Sequence, residues 1–134
     1  MRLIDRLKTG DVLYTSCVGV PFCYHIGIAV VDGTRKRIYH NSPYIKNKYG
    51  GSICSESYES FMKERELVKV TPTDISEQRV LAIARKHKRE IWDSLFFNCE
   101  DFILEVVEGH RRSDLRDAYR IAALGITMLA LMET

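Results

Sequence analysis

The residues best suited to chemistry in this chain are a cysteine and two histidines set far apart. Cys99 lies in Phe97-Asn98-Cys99-Glu100-Asp101-Phe102, which opens an amphipathic run ending at Gly109. His25 lies in Tyr24-His25-Ile26-Gly27-Ile28-Ala29-Val30-Val31, and His40 in Ile38-Tyr39-His40-Asn41. A thiol is a nucleophile once ionised, and the free N–H groups of a helix start favour the anion. Asn98 is a good N-cap residue, which puts Cys99 at the first helical position. A neighbouring imidazole can take the thiol proton, while a second polar group holds that imidazole in the right tautomer. The pattern predicts a cysteine-dependent acyl hydrolase or acyltransferase.

These groups need elements to hold them. Gly10-Asp11 reads as a turn before a strand over Val12–Ser16, and Tyr24–Val31 is apolar and β-branched enough for a central strand. Asp32-Gly33 is a hairpin signal, with Arg37–Asn41 as the returning strand. Register decides whether His25 and His40 share a face, because side chains alternate along a strand. Gly50-Gly51 reads as a flexible link, Ser57–Lys63 as a short helix and Leu67–Val70 as a further strand.

The period then changes. Ser76 reads as the N-cap of a helix reaching about Ile91, with Val80, Ile83 and Ala84 on one face. The Cys99 helix follows, with Phe102, Ile103, Val106 and Val107 as its buried stripe. Ser113 reads as the cap of a last helix over Asp114–Met132. Strands come first and helices later, so the fold class is α+β. The expected organisation is a catalytic domain over 1–112 and a hydrophobic C-terminal helix over 113–134.

Composition narrows the partners. With 134 residues and a net charge of +2, the chain is one ordinary globular domain with no basic stripe for nucleic acid. Arg35-Lys36-Arg37 reads as a solvated turn and Arg85 to Arg89 as a solvated helix face. The N-terminal residues contain no apolar stretch suited to a signal peptide, so a cytoplasmic, reducing setting is expected. Cys17, Cys23 and Cys54 are expected to pack as small hydrophobes. A zinc site from Cys17, Cys23 and His25 matches no common ligand spacing, so neither metal nor cofactor is expected.

The residues quoted above resemble the lecithin retinol acyltransferase family. The resemblance rests on Tyr24-His25-Ile26-Gly27-Ile28-Ala29-Val30, the Tyr39-His40 pair and the Asn98-Cys99-Glu100 box, with Gly10-Asp11-Val12 and the Trp92–Phe97 run beside them. It spans roughly residues 9–109 and implies a circularly permuted papain-like fold, a small antiparallel sheet bearing the histidines packed on a helix bearing the cysteine. It further implies Cys99 as nucleophile, His25 as general base and His40 as the group orienting it. Asn98, Glu100 and Tyr24 are then supporting residues, and the Cys99 N–H contributes to an oxyanion hole. Asp101 stands where animal members usually carry histidine, and Glu100 and Asp101 both oppose ionisation of Cys99. The hairpin between the histidines is also lengthened by its basic turn.

The expected reaction runs through an acyl-Cys99 thioester formed from a phospholipid ester and resolved by water or another acceptor. A cysteine peptidase or amidase related to cell-wall endopeptidases is the rival, and a non-catalytic binding module the third reading. The stretch Ile121–Met132 is apolar on every face yet shorter than the ~20 residues that span a bilayer. Two expectations stand for it: a helix packed on the domain or a partner subunit, or a peripheral membrane anchor.

Overall fold

The structure is a computed structural model that describes residues 2–17, 24–93 and 97–111, together with 120, 121, 124–126, 128, 129, 131 and 132. The order of elements is α1 (Leu3–Arg6), β1 (Val12–Cys17), β2 (Tyr24–Asp32), β3 (Arg35–Asn41), β4 (Ile53–Ser57), α2 (Tyr58–Met62), β5 (Arg65–Thr71), α3 (Glu77–Lys86) and α4 (Cys99–Glu108). The strands form one antiparallel sheet in the order β4-β3-β2-β1-β5. The α+β class expected from the strand-then-helix order is what the molecule adopts.

The central strand β2 is buried on both faces, and its alternation divides the core. Ile26, Ile28 and Val30 join Phe97, Phe102, Ile103 and Val106 under α3 and α4. Ala29 faces the other way, into a smaller cluster with Leu7, Leu13, Ile38 and Phe61 beneath α1 and α2. Gly27 is required at its place because a Cβ there would meet Ile38 and the Phe61 ring.

Several boundaries differ from the sequence expectation. Helix α3 starts after its Ser76 cap but stops at Lys86 rather than near Ile91. His87 ends it, with its ring nitrogens bound to Glu90 (2.6 Å) and to Glu105 of α4 (2.8 Å). Arg35 to Arg37 belong to β3 itself and not to a solvated turn. The turn is only Gly33-Thr34, with Gly33 at φ 60°, so the hairpin is tight. Arg37 donates to the Ser55 hydroxyl and carbonyl, and Lys36 to the Ile4 carbonyl. Gly51 is buried rather than a loose link, because any Cβ would strike the Lys88 carbonyl. Strand β4 and helix α1 had no sequence expectation at all.

Ser113, Asp114, Cys23 and the Cys17 side chain lie outside the described residues, so the expectations placed on them stop there. The described residues from 120 to 132 are helical, and Ile121, Leu124, Ile126, Met128, Leu129, Leu131 and Met132 are all exposed. No helix among the described residues is long and apolar enough to cross a membrane.

Candidate active site

The register places both histidines on one face. Ala29 pairs with Ile38, and both enter the Phe61 cluster, so His25 and His40 share that face by alternation. The β2–β3 ladder stops at Ile28↔Tyr39, short of either histidine. Beyond that point His25 Nε2 lies 2.7 Å from His40 Nδ1, with the rings edge-to-face at 86°. The Phe61 ring packs against both, its centroid 5.8 Å from His25 and 5.0 Å from His40.

A third member extends this pair. His40 Nε2 lies 2.6 Å from Glu56 Oε2, and the other Glu56 oxygen accepts from the Ser60 hydroxyl at 2.7 Å. A carboxylate can only accept, so Glu56 holds the His40 proton on Nε2. His40 Nδ1 then accepts, which puts the His25 proton on Nε2 and leaves His25 Nδ1 as a free lone pair. Among the described residues His25 Nδ1 has no hydrogen bond. Sequence reading missed Glu56 because Ile53–Ser57 is polar and poor in β-formers. The signal was there in Cys54-Ser55-Glu56, an alternation that sets two ligating side chains on one face.

Cys99 arrives from the opposite layer. Asn98 caps α4, accepting from Glu100 N (3.0 Å) and Asp101 N (3.3 Å), while Asp101 Oδ2 accepts from Asn98 N at 2.9 Å. This reciprocal capping box gives Asp101 a structural task. Asn41 at the end of β3 donates to the carbonyls of Phe97 (3.2 Å) and Asn98 (3.0 Å), tying the helix start to the histidine strand. The Cys99 sulfur accepts from the backbone N–H of Ile26, the residue next to His25. Because the Ala29 N–H points to β1, alternation turns the Ile26 N–H the other way, into the opening left where β3 departs. Cys99 and His25 themselves share no hydrogen bond among the described residues.

The resting electrostatics are those of neutral groups. Burial pushes the Cys99 thiol up to about 12, and Glu100 adds to the rise against the opposing N–H groups. The helix start therefore does not yield a thiolate here, since Cys99 is only 3% exposed and desolvation outweighs the amide field. Burial also depresses His25 well below its ordinary range, with His40 and Arg65 adding to the effect. His40 falls to about 4 through burial, opposed by Glu56 and aided by Arg65. The contact between His40 and Glu56 is thus a neutral imidazole on a carboxylate. Tyr24 is half-buried against the α4-side core.

Cys54 does not pack as a simple hydrophobe. It is half-buried, and its sulfur lies 3.4 Å from His40 Nε2. A surface cavity of about 500 Å³ lies between Tyr39, Ile53, Leu81 and the Lys48, Arg85 and Lys88 cations, with neither His25 nor Cys99 in its lining. Fold and site together define an α+β domain in which a helix with a capped cysteine packs on a sheet whose strands β2, β3 and β4 contribute a hydrogen-bonded chain of His25, His40 and Glu56. No family model, curated protein or solved structure matches this chain.

Proposed function

We propose that the protein is a thiol acyl hydrolase or acyltransferase of permuted papain-like arrangement, working through an acyl-Cys99 thioester on phospholipid esters. The observation that carries this reading is the hydrogen-bonded chain of His25, His40 and Glu56, which fixes the tautomer of an imidazole one residue from Ile26, whose N–H acts on the Cys99 thiol. In this reading the Cys99 sulfur attacks the ester carbonyl as its proton moves to His25 Nδ1. The carbonyl oxygen becomes an oxyanion that the Cys99 N–H helps to hold. Collapse of the tetrahedral species breaks the C–O bond, and His25 returns its proton to the leaving alkoxide. Water or an acceptor alcohol or amine, deprotonated by His25, then attacks the thioester and releases the thiol.

A neutral thiol and a neutral imidazole suit this concerted transfer, because no ion pair has to be desolvated before the acyl group arrives. The exposed apolar side chains of the described C-terminal residues favour a peripheral membrane contact over a helix packed on the domain itself, and a lipid substrate gives that contact a purpose. The test is intact-mass analysis after incubation with phospholipid vesicles, a short-chain ester, a peptide and a cell-wall fragment. An acyl adduct from the ester donors, absent in Cys99→Ser, is the expected result. An adduct or turnover with the peptide alone would overturn the lipid reading in favour of a peptidase.

A further inference from the structure

Among the described residues the chain of His25, His40 and Glu56 leaves one thiol, Cys54, without a task, and that thiol sits among metal-ligating groups. His40 and Cys54 are direct cross-strand partners on β3 and β4, and Glu56 is two residues further along the same strand. All three side chains therefore project from one face of a paired ladder. One ligand atom from each lies within 4.8 Å of the others. His40 is fully buried, while Cys54 is half-buried and the Glu56 side chain is 16% exposed, so solvent reaches the open side.

We propose that Cys54 Sγ, His40 Nε2 and Glu56 Oε2 form a binding site for a thiophilic divalent cation of the zinc class, with a solvent molecule as fourth ligand. Metal–ligand bonds of about 2.0–2.3 Å in a tetrahedron set neighbouring ligand atoms roughly 3.3–3.5 Å apart. The sulfur–nitrogen separation of 3.4 Å already fits. The nitrogen–oxygen separation of 2.6 Å must open, which a small swing of the Glu56 side chain supplies. The donor set of thiolate, imidazole and carboxylate suits zinc and neutralises its charge. Both strands are held by backbone ladders, so the donors are set in place before the cation arrives.

Occupation has a consequence for the proton arrangement, and this part rests on the acyl-transfer reading. The cation displaces the Cys54 thiol proton to solvent and needs the Nε2 lone pair of His40. His40 then carries its proton on Nδ1 and donates it to His25 Nε2. The His25 proton is left on Nδ1, the position that has to accept from Cys99. One proton leaves per cation, both imidazoles stay neutral, and His25 can no longer act as the base. The site would thus silence the enzyme without touching Cys99.

The experiment is a cobalt(II) titration of the Cys99→Ser protein, read by sulfur-to-metal charge-transfer absorption and by proton release. One equivalent bound, with a thiolate band and one proton released, is expected. Cys54→Ser should lose the band and Glu56→Gln should weaken binding, with circular dichroism checking that each variant is folded. No thiolate band in Cys99→Ser, or an undiminished band in Cys54→Ser, where Cys17 and Cys23 remain, overturns the site. With a turned-over ester, zinc should inhibit the unsubstituted protein and spare Cys54→Ser, each compared with its own metal-free rate. Equal inhibition of both overturns the tautomer consequence. If no ester is turned over at all, the acyl-transfer reading fails while the absorption result still decides the site.

Discussion

With thiol and imidazoles all neutral at rest, reactivity at Cys99 depends on a proton transfer and not on a standing thiolate. Cys99→Ser should abolish turnover with the fold intact, because a hydroxyl is a far weaker acid for the same base. His25→Ala should cost nearly as much, since members of a catalytic unit do not add independently. The loss should be at least the 10²–10⁴-fold that a positioned base contributes. His40→Gln should be milder, as an amide oxygen can still accept from His25 Nε2. A larger loss from His40→Gln than from His25→Ala would exchange their roles. The pH profile carries a sharper signature. Burial holds His25 well below 6.5, so kcat/KM should stay flat through pH 6.5 and fall only further into acid. An inflection at the ordinary histidine value would show an exposed base. Rapid alkylation of Cys99 at neutral pH, which a thiolate at the helix start would give, is not expected: both Cys54 and Cys99 are raised to about 12.

Among the elements, α4 carries the site through its first turn. Asn98→Ala removes the acceptor for two amides and should lower stability by about 1 kcal/mol in urea unfolding. It should lower activity further by loosening the placement of Cys99. Phe61→Ala should cost about 3–5 kcal/mol, because Phe61 is fully buried and walls both histidines. A loss below ~1 kcal/mol would show that the α2 layer is not a real core. These elements differ in how plainly the chain announces them. The α4 helix was legible from Asn98 to Gly109 because cap, apolar stripe and αL glycine all agree. Strand β2 was legible because its residues are apolar on both faces. Strand β4 was not, since Cys54, Ser55 and Glu56 are held by side-chain contacts across the sheet to His40 and Arg37. Glu56 was lost with it. The end of α3 was missed for a related reason: His87 is fixed by Glu105, 18 residues away, and no local pattern reports that.

At the level of the whole molecule, acid and base should unfold the protein from either side of neutrality. As the pH falls below 6.5, the unfolded chain takes up protons that folded His25 and His40 refuse, down to about 4 for His40. Stability from these groups is therefore full above 6.5 and falls as the pH drops through that window. At the other end, folded Cys54 and Cys99 stay protonated to about 12 while the unfolded thiols ionise near 9, so stability falls as the pH rises past 9. Thermal melts across pH should show a plateau between, and His40→Gln should flatten the acid limb. Truncation after Ser113 should leave the melting point of the remaining domain nearly unchanged, because the described apolar side chains beyond Arg120 are exposed. The truncated protein should also lose co-sedimentation with liposomes while keeping activity on a soluble ester. Unfolding on truncation would make the segment part of the core. The split between β2 and β3 has one more consequence at this scale. The Ile26 amide leaves the ladder and ends on sulfur, at the seam between the layer holding the histidines and the layer holding the thiol. Acylation would turn its acceptor into a poor one, so the Ile26 resonance in a nitrogen–proton NMR spectrum becomes a native reporter of the thioester, readable during turnover with no label at the site itself.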